Sequence, residues 1–172
     1  MKMSDELDMQ GRLQIKTFNR DDELITEVKA NNFIVYTGRD LVAQLFLGQK
    51  IDPVRYLAVG TGNLAVNPVI DNKLQTEVFR KQIKAIDLSK DLSDTPEVTI
   101  TKEGRDIKQK NRKVIISADL DFKEPGDQTY ELKEAGLFNA AKDGGVMYNR
   151  VVFPVVTKTP DFKLTLVWEI IF

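Results

Sequence analysis

The last eleven residues constrain the fold most: Phe162, Leu164, Leu166, Trp168, Ile170 and Phe172 recur at every second position. Lys163, Thr165 and Glu169 lie between them, and Val167 and Ile171 reduce the polarity of that second set. Side chains alternate across a β-strand, so the apolar residues share one face. A register slip of one residue would turn that whole face to water, so such a strand needs a fixed place opposite a core. A chain of 172 residues buries roughly 70% of its unfolded surface, enough to supply one. The expected fold is β-rich, with the terminal strand built into a sheet.

The rest of the chain fits that expectation. Residues 1–10 are polar and acidic and read as a flexible N-terminus. Leu13, Ile15 and Phe18, then Leu24, Ile25 and Val28, flank the turn-forming Asn19–Asp22, which predicts a hairpin. Asn31–Val35 is a further short extended run. One main helix is signalled near residues 38–47, with Thr37 as its cap, Asp40 in its first turn, Leu41, Val42, Leu45 and Phe46 as its apolar face, and Gly48 as its stop. Arg55–Val59 reads as a strand ended by Gly60-Thr61-Gly62, residues 63–73 as an irregular loop, and a strand follows from about residue 79. Residues 88–96 read as a polar linker or loop. Glu97–Thr101 and Lys113–Phe122 read as a long hairpin whose exposed tip is the segment between them. Lys123–Asp127 is a turn, and Tyr130–Phe138, Val146–Phe153 and Phe162–Phe172 complete the strands. The connections fall at Asp143-Gly144-Gly145 and Thr159-Pro160-Asp161. The fold class is thus α+β, mostly β: an antiparallel β-sandwich or distorted barrel, with residues 11–172 as one domain.

Composition excludes whole classes of chemistry. The chain has no cysteine and no histidine. Disulfides, thiolate metal sites, cysteine nucleophiles, serine–histidine hydrolysis and histidine-ligated zinc are therefore outside its reach. Lys plus Arg is 25 and Asp plus Glu is 26, so no global field steers the protein to nucleic acid. The N-terminus carries acids where a signal peptide needs an apolar core, and no apolar run approaches the ~20 residues of a membrane span. The expected class is a soluble intracellular or assembly protein.

Four groups of residues invite a chemical reading. Gly60 to Ala65 follows a strand and fits a loose dinucleotide fingerprint, with Asp87 near the place of the ribose-binding acid. That fingerprint needs a helix to open at once, whereas Asn63, Asn67, Pro68, Asp71 and Asn72 follow, so a glycine-rich turn leaving a strand is the simpler reading. Asp119 and Asp121 share a strand face and could pair for glycoside hydrolysis, but alternation with Leu120 and Phe122 also describes a solvated strand face. Lys108, Lys110, Arg112 and Lys113 form a basic cluster without interleaved aromatics, which suits a hairpin tip or an acidic protein partner better than nucleic acid. Glu131, Glu134, Asp143 and Asp161 lack the spacing of a calcium loop. Gly62 and Gly136 are expected at bulges or tight turns and Pro154 at an edge or bulge. Arg150 is expected to neutralise Glu134 or Glu77. No catalytic, cofactor-binding or metal-ligating residue is assigned.

Three blocks, taken in order, resemble the N-terminal domains of bacteriophage tail-fibre and tail-collar fibre proteins. Tyr56 to Gly62 is similar to the glycine-ended strand of those domains. Leu74, Glu77, Arg80 and Lys81 match the run that follows it there. Glu134, Gly136, Leu137 and Phe138, then Gly145, Arg150, Phe153 and Lys158, then Trp168, Ile170 and Phe172 resemble their ending. Asn32–Leu47 resembles the lead-in of tail proteins of phages and contractile injection systems. The resemblance covers residues 32–172 and implies a non-catalytic structural protein, made in a host cytoplasm without a signal peptide and located in a virion or injection particle. It implies self-association, with trimer- or hexamer-compatible symmetry, and docking to other tail, baseplate or neck proteins, with no membrane, nucleic acid or cofactor. Fibre proteins continue into a shaft and tip; the sequence stops at Phe172, so attachment is expected rather than receptor recognition. Other readings are a capsid or neck decoration protein, a nucleotide-binding enzyme using the Gly60–Ala65 turn, and a carbohydrate-binding module. The last would want exposed aromatics, whereas Trp168 sits on the apolar stripe.

Overall fold

The computed structural model describes residues 10–142 and 145–172. It is mostly β, with strands β1 (Gln10–Phe18), β2 (Leu24–Ile34), β3 (Tyr56–Gly60), β4 (Glu77–Gln82), β5 (Leu92–Asp94), β6 (Val98–Lys102), β7 (Arg105–Gln109), β8 (Arg112–Leu120), β9 (Tyr130–Phe138), β10 (Met147–Lys158) and β11 (Lys163–Ile171), and helices α1 (Tyr36–Phe46) and α2 (Leu88–Asp91). The expected flexible segment, residues 1–10, lies outside the description except for Gln10, which opens β1 opposite Ile171. Of the Asp143–Gly145 connection, only Gly145 is described.

Nine strands form one antiparallel sheet in the order β4-β3-β9-β10-β2-β1-β11-β8-β5. The sheet curls until β4 approaches β8, the next-to-last strand at its other end: just past β4, Lys84 N–H donates to Ser117 O of β8 at 2.8 Å, and Lys84 also pairs with Asp119 at 2.9 Å. The result is a distorted barrel with a seam, because β10 and β2 are bonded only around Asn149–Ile34 and Arg150–Phe33. The terminal strand is central, between β1 and β8. Leu164, Leu166, Trp168 and Ile170 are buried inside the curl with Leu13, Ile15, Leu57 and Leu137. Phe162 and Phe172, at the ends of the stripe, are only partly covered.

A second, smaller core lies on the outer face of β3-β9-β10, where Val35, Ala58, Leu74, Phe138 and Met147 pack together. β9 is therefore covered on both faces, and Glu134 through Phe138 are all buried. α1 packs on β10, where Gly38 leaves no room for a side chain: a Cβ there would stand 1.9 Å from Tyr148 O.

Several expectations change. Thr37 does not cap the helix. Val35 is the N-cap without a side-chain bond; Tyr36 N–H finds Pro68 O at 2.7 Å, and Thr37 Oγ1 donates to Met147 O instead. Phe46 leaves the packing face, because five residues carry it roughly 140° around from Leu41, and it is 91% exposed. Residues 88–96 are not a plain linker; Asp87 caps α2, and β5 pairs with β8. The long hairpin of 97–101 with 113–122 does not form. β6 pairs with β7 as a separate small sheet, and β8 pairs with β11 and β5. β10 runs on to Lys158 through a register shift between Val152 and Val156 that accommodates Pro154.

Candidate functional site

The centre of greatest polar order is a clamp between the outer face of β9–β10 and the irregular loop 61–76. Glu134 is fully buried. Its Oε1 accepts from the amides of Gly62 at 3.2 Å and Thr76 at 2.7 Å. Its Oε2 accepts from Gln75 N–H and Arg150 Nε, both at 3.0 Å, and lies 2.9 Å from Arg150 Nη2. Arg150, almost entirely buried, also reaches Asp71 at 2.9 Å and Leu64 O at 3.1 Å. One guanidinium thus lies between two carboxylates, and oriented amides help to compensate the buried charge of Glu134.

The glycines are required by close approach. A Cβ on Gly60 would meet Thr76 O at 2.3 Å, and one on Gly62 would meet Glu134 Oε1 at 2.5 Å. Gly136, expected at a bulge or tight turn, lies beside the register shift at Met147–Asn149 and lets Asn149 O approach to 2.8 Å of where its Cβ would stand.

This geometry sets the Gly60–Ala65 turn apart from a phosphate loop. No helix follows it. Gly62 N–H points at an internal carboxylate, and the amides of Asn63 and Leu64 both donate to Gln75 Oε1 at 2.9 Å. Asp87 is occupied locally as the cap of α2.

The other candidates are dispersed. Asp119 accepts from Thr165 Oγ1 and pairs with Lys84, while Asp121, one residue past β8, pairs with Lys81. The basic cluster is neutralised residue by residue: Lys108 by Glu97, Lys110 and Arg112 by Asp94, Lys113 by Glu169. Lys110 and Arg112 in turn hold the Asp94 carboxyl below its usual range. Arg150 takes Glu134, as expected, but as a buried pair; Glu77 pairs with Arg80. Arg80 also lies over the Phe138 ring at 3.7 Å. Glu131 neighbours Lys133, Asp161 pairs with Arg20, and Asp143 lies outside the described residues. Among the described residues no group of acidic side chains is placed to hold a metal ion.

Sequence reasoning missed Asp71, Gln75 and the three amides of the clamp. Asp71 looked like an ordinary loop residue, and only the Asn67-Pro68 pair before it signalled a structured turn. A groove of about 440 Å³ beside Phe33 and Pro68 is lined in part by Arg12, Arg39 and Glu169 and contains none of the clamp residues. No family model matches the chain, and no curated protein or solved structure is significantly similar to it.

Proposed function

We propose that this chain is a non-catalytic structural protein of a phage tail or a related contractile injection machine. It serves as a connector or as a fibre-attachment, baseplate or collar component, through self-association and docking to neighbouring subunits. One observation carries the reading. Four of the residues on which the family resemblance rests, Gly60, Gly62, Glu134 and Arg150, meet at a single clamp. They act there on one another, as parts of a folding device, and Glu134 uses both oxygens to hold the loop to the sheet. A recurrent pattern built for shape suits a subunit whose work is to be held in place. The nucleotide reading loses support, because the amides it needs are taken up within the chain. The carbohydrate reading loses its only tryptophan, Trp168, to the core.

Antibody-gold labelling of particles sedimented from the producing cells tests the proposal. The expected result is label confined to a tail, baseplate, collar or neck; label on the head would favour a decoration role. Absence of the chain from every sedimenting particle would overturn the reading.

A further inference from the structure

We infer that a second copy of this chain docks on the outer face of α1 and the adjoining turn at Val69–Ile70; this rests on the self-association proposed above. α1 buries Gly38 and Leu41 against the barrel. At 100° per residue, Tyr36, Ala43, Phe46 and Leu47 fall on the opposite side. The turn joins this stripe where Tyr36 N–H meets Pro68 O at 2.7 Å, and Phe33 and Pro68 line one groove beside it. Phe33, Tyr36, Phe46, Leu47, Val69 and Ile70 are each between 54% and 91% exposed. With aromatic side chains of roughly 150–250 Å² and aliphatic ones somewhat smaller, they present about 800 Å² of mainly apolar surface. About 800 Å² is one partner's share of a standard interface.

Three features favour a copy of the same chain as occupant. Arg39 and Asp40 stand side by side on the exposed side of the helix, so the surface offers both signs and can complement itself across a two-fold axis. Ala43, in the middle of the stripe, allows two helices to approach closely. The net charge of −1 adds no long-range repulsion between copies.

Light scattering and sedimentation of the full chain over a range of concentrations provide the test. Wild type is expected to show the mass of two chains or more. Phe46→Asp and Ile70→Asp, on separate elements and outside both cores, are each expected to weaken association at least about 30-fold, with circular dichroism and melting unchanged. Ala43→Cys, the only thiol in the chain, is expected to give a disulfide-linked dimer on mild oxidation, and Lys108→Cys is not. If both aspartate variants associate like wild type, the docking surface is refuted while self-association stands. If wild type stays monomeric to about 1 mM, the second copy is refuted, and the gold-labelling experiment still judges the wider reading separately.

Discussion

Replacing Arg150 with methionine should be one of the most damaging single polar substitutions in this protein. Methionine keeps much of the side-chain volume and removes the charge. Glu134, fully buried, then keeps only the amides of Gly62, Gln75 and Thr76, and Asp71 loses its cation. Breaking a buried pair by removing one partner costs about 3–5 kcal/mol, because the remaining charge stays desolvated. For a domain of this size that is a fall in melting temperature of roughly 6–20 °C, and a large part of a total stability of about 5–15 kcal/mol.

Urea unfolding followed by Trp168 fluorescence measures the change, with the slope against denaturant expected to stay constant. Glu134→Gln combined with Arg150→Met supplies the diagnostic step. The double variant has no uncompensated buried carboxylate at residue 134, so its loss should fall short of the sum of the single losses by at least about 1.5 kcal/mol. Lys108→Met, which breaks an exposed pair with Glu97, should hardly move the midpoint. A loss below about 1 kcal/mol for Arg150→Met would place the clamp with ordinary surface pairs, and strict additivity would show that Glu134 and Arg150 do not act as a unit. Either result refutes the argument.

Four further outcomes follow from the geometry. Gly38→Ala, which raises helix propensity by about 1 kcal/mol, should instead destabilise by about 1–3 kcal/mol in thermal unfolding, because its Cβ would strike the backbone at Tyr148. Burial pushes the Tyr148 hydroxyl up to about 12, against a smaller opposing effect of Arg39. A proton held more tightly in the folded state gives stability that is full below pH ~10 and is lost as pH rises towards ~12, so Tyr148→Phe should flatten that part of the pH–stability curve. Trp168, the single tryptophan, is fully buried, so its emission should be blue-shifted and resist iodide quenching until the protein unfolds. Asp71→Asn removes one anchor of the 67–71 turn and should cost about 1.5 kcal/mol, while weakening self-association more than Lys108→Met does.

The sequence reveals features whose cause is local. The hairpin at Asn19–Asp22, the limits of β9 and the four buried residues of the terminal stripe follow from turn residues and period-two alternation. Gly48 ends the helix region with φ 73°, as its place in the sequence suggests. Features with distant causes are missed. β6 and β7 close on each other through Glu103 and Gly104, both with positive φ, a turn that Asn-Gly would announce more clearly. Their fold-back leaves Arg112 and Lys113 to pair with β5, which no local pattern indicates. Phe46 points to solvent because neighbouring apolar residues on a helix, 100° apart, span more than one packing face. Glu134 could be matched with Arg150 by charge, but its burial depends on amides 58 to 72 residues earlier in the chain.

The clamp also explains how a compact fold keeps a connection of this kind. Between β3 and β4 run the sixteen residues 61–76, with no regular structure. Segments that long are uncommon in compact domains unless something orders them or uses them. Here the ordering agent is an anion carried by the sheet. Backbone amides converge on it beside side-chain-free positions, which is the physics of a phosphate-binding loop, but the anion is Glu134 and the site is filled by the chain itself. The loop is held at Gly62, Gln75 and Thr76 by Glu134, and at Leu64 and Asp71 by Arg150. Val69 and Ile70 sit within that fixed span, next to Asp71. Their exposed position is therefore set by the buried clamp on the outer face of the sheet, and a substitution at the clamp should reach the docking face without touching it.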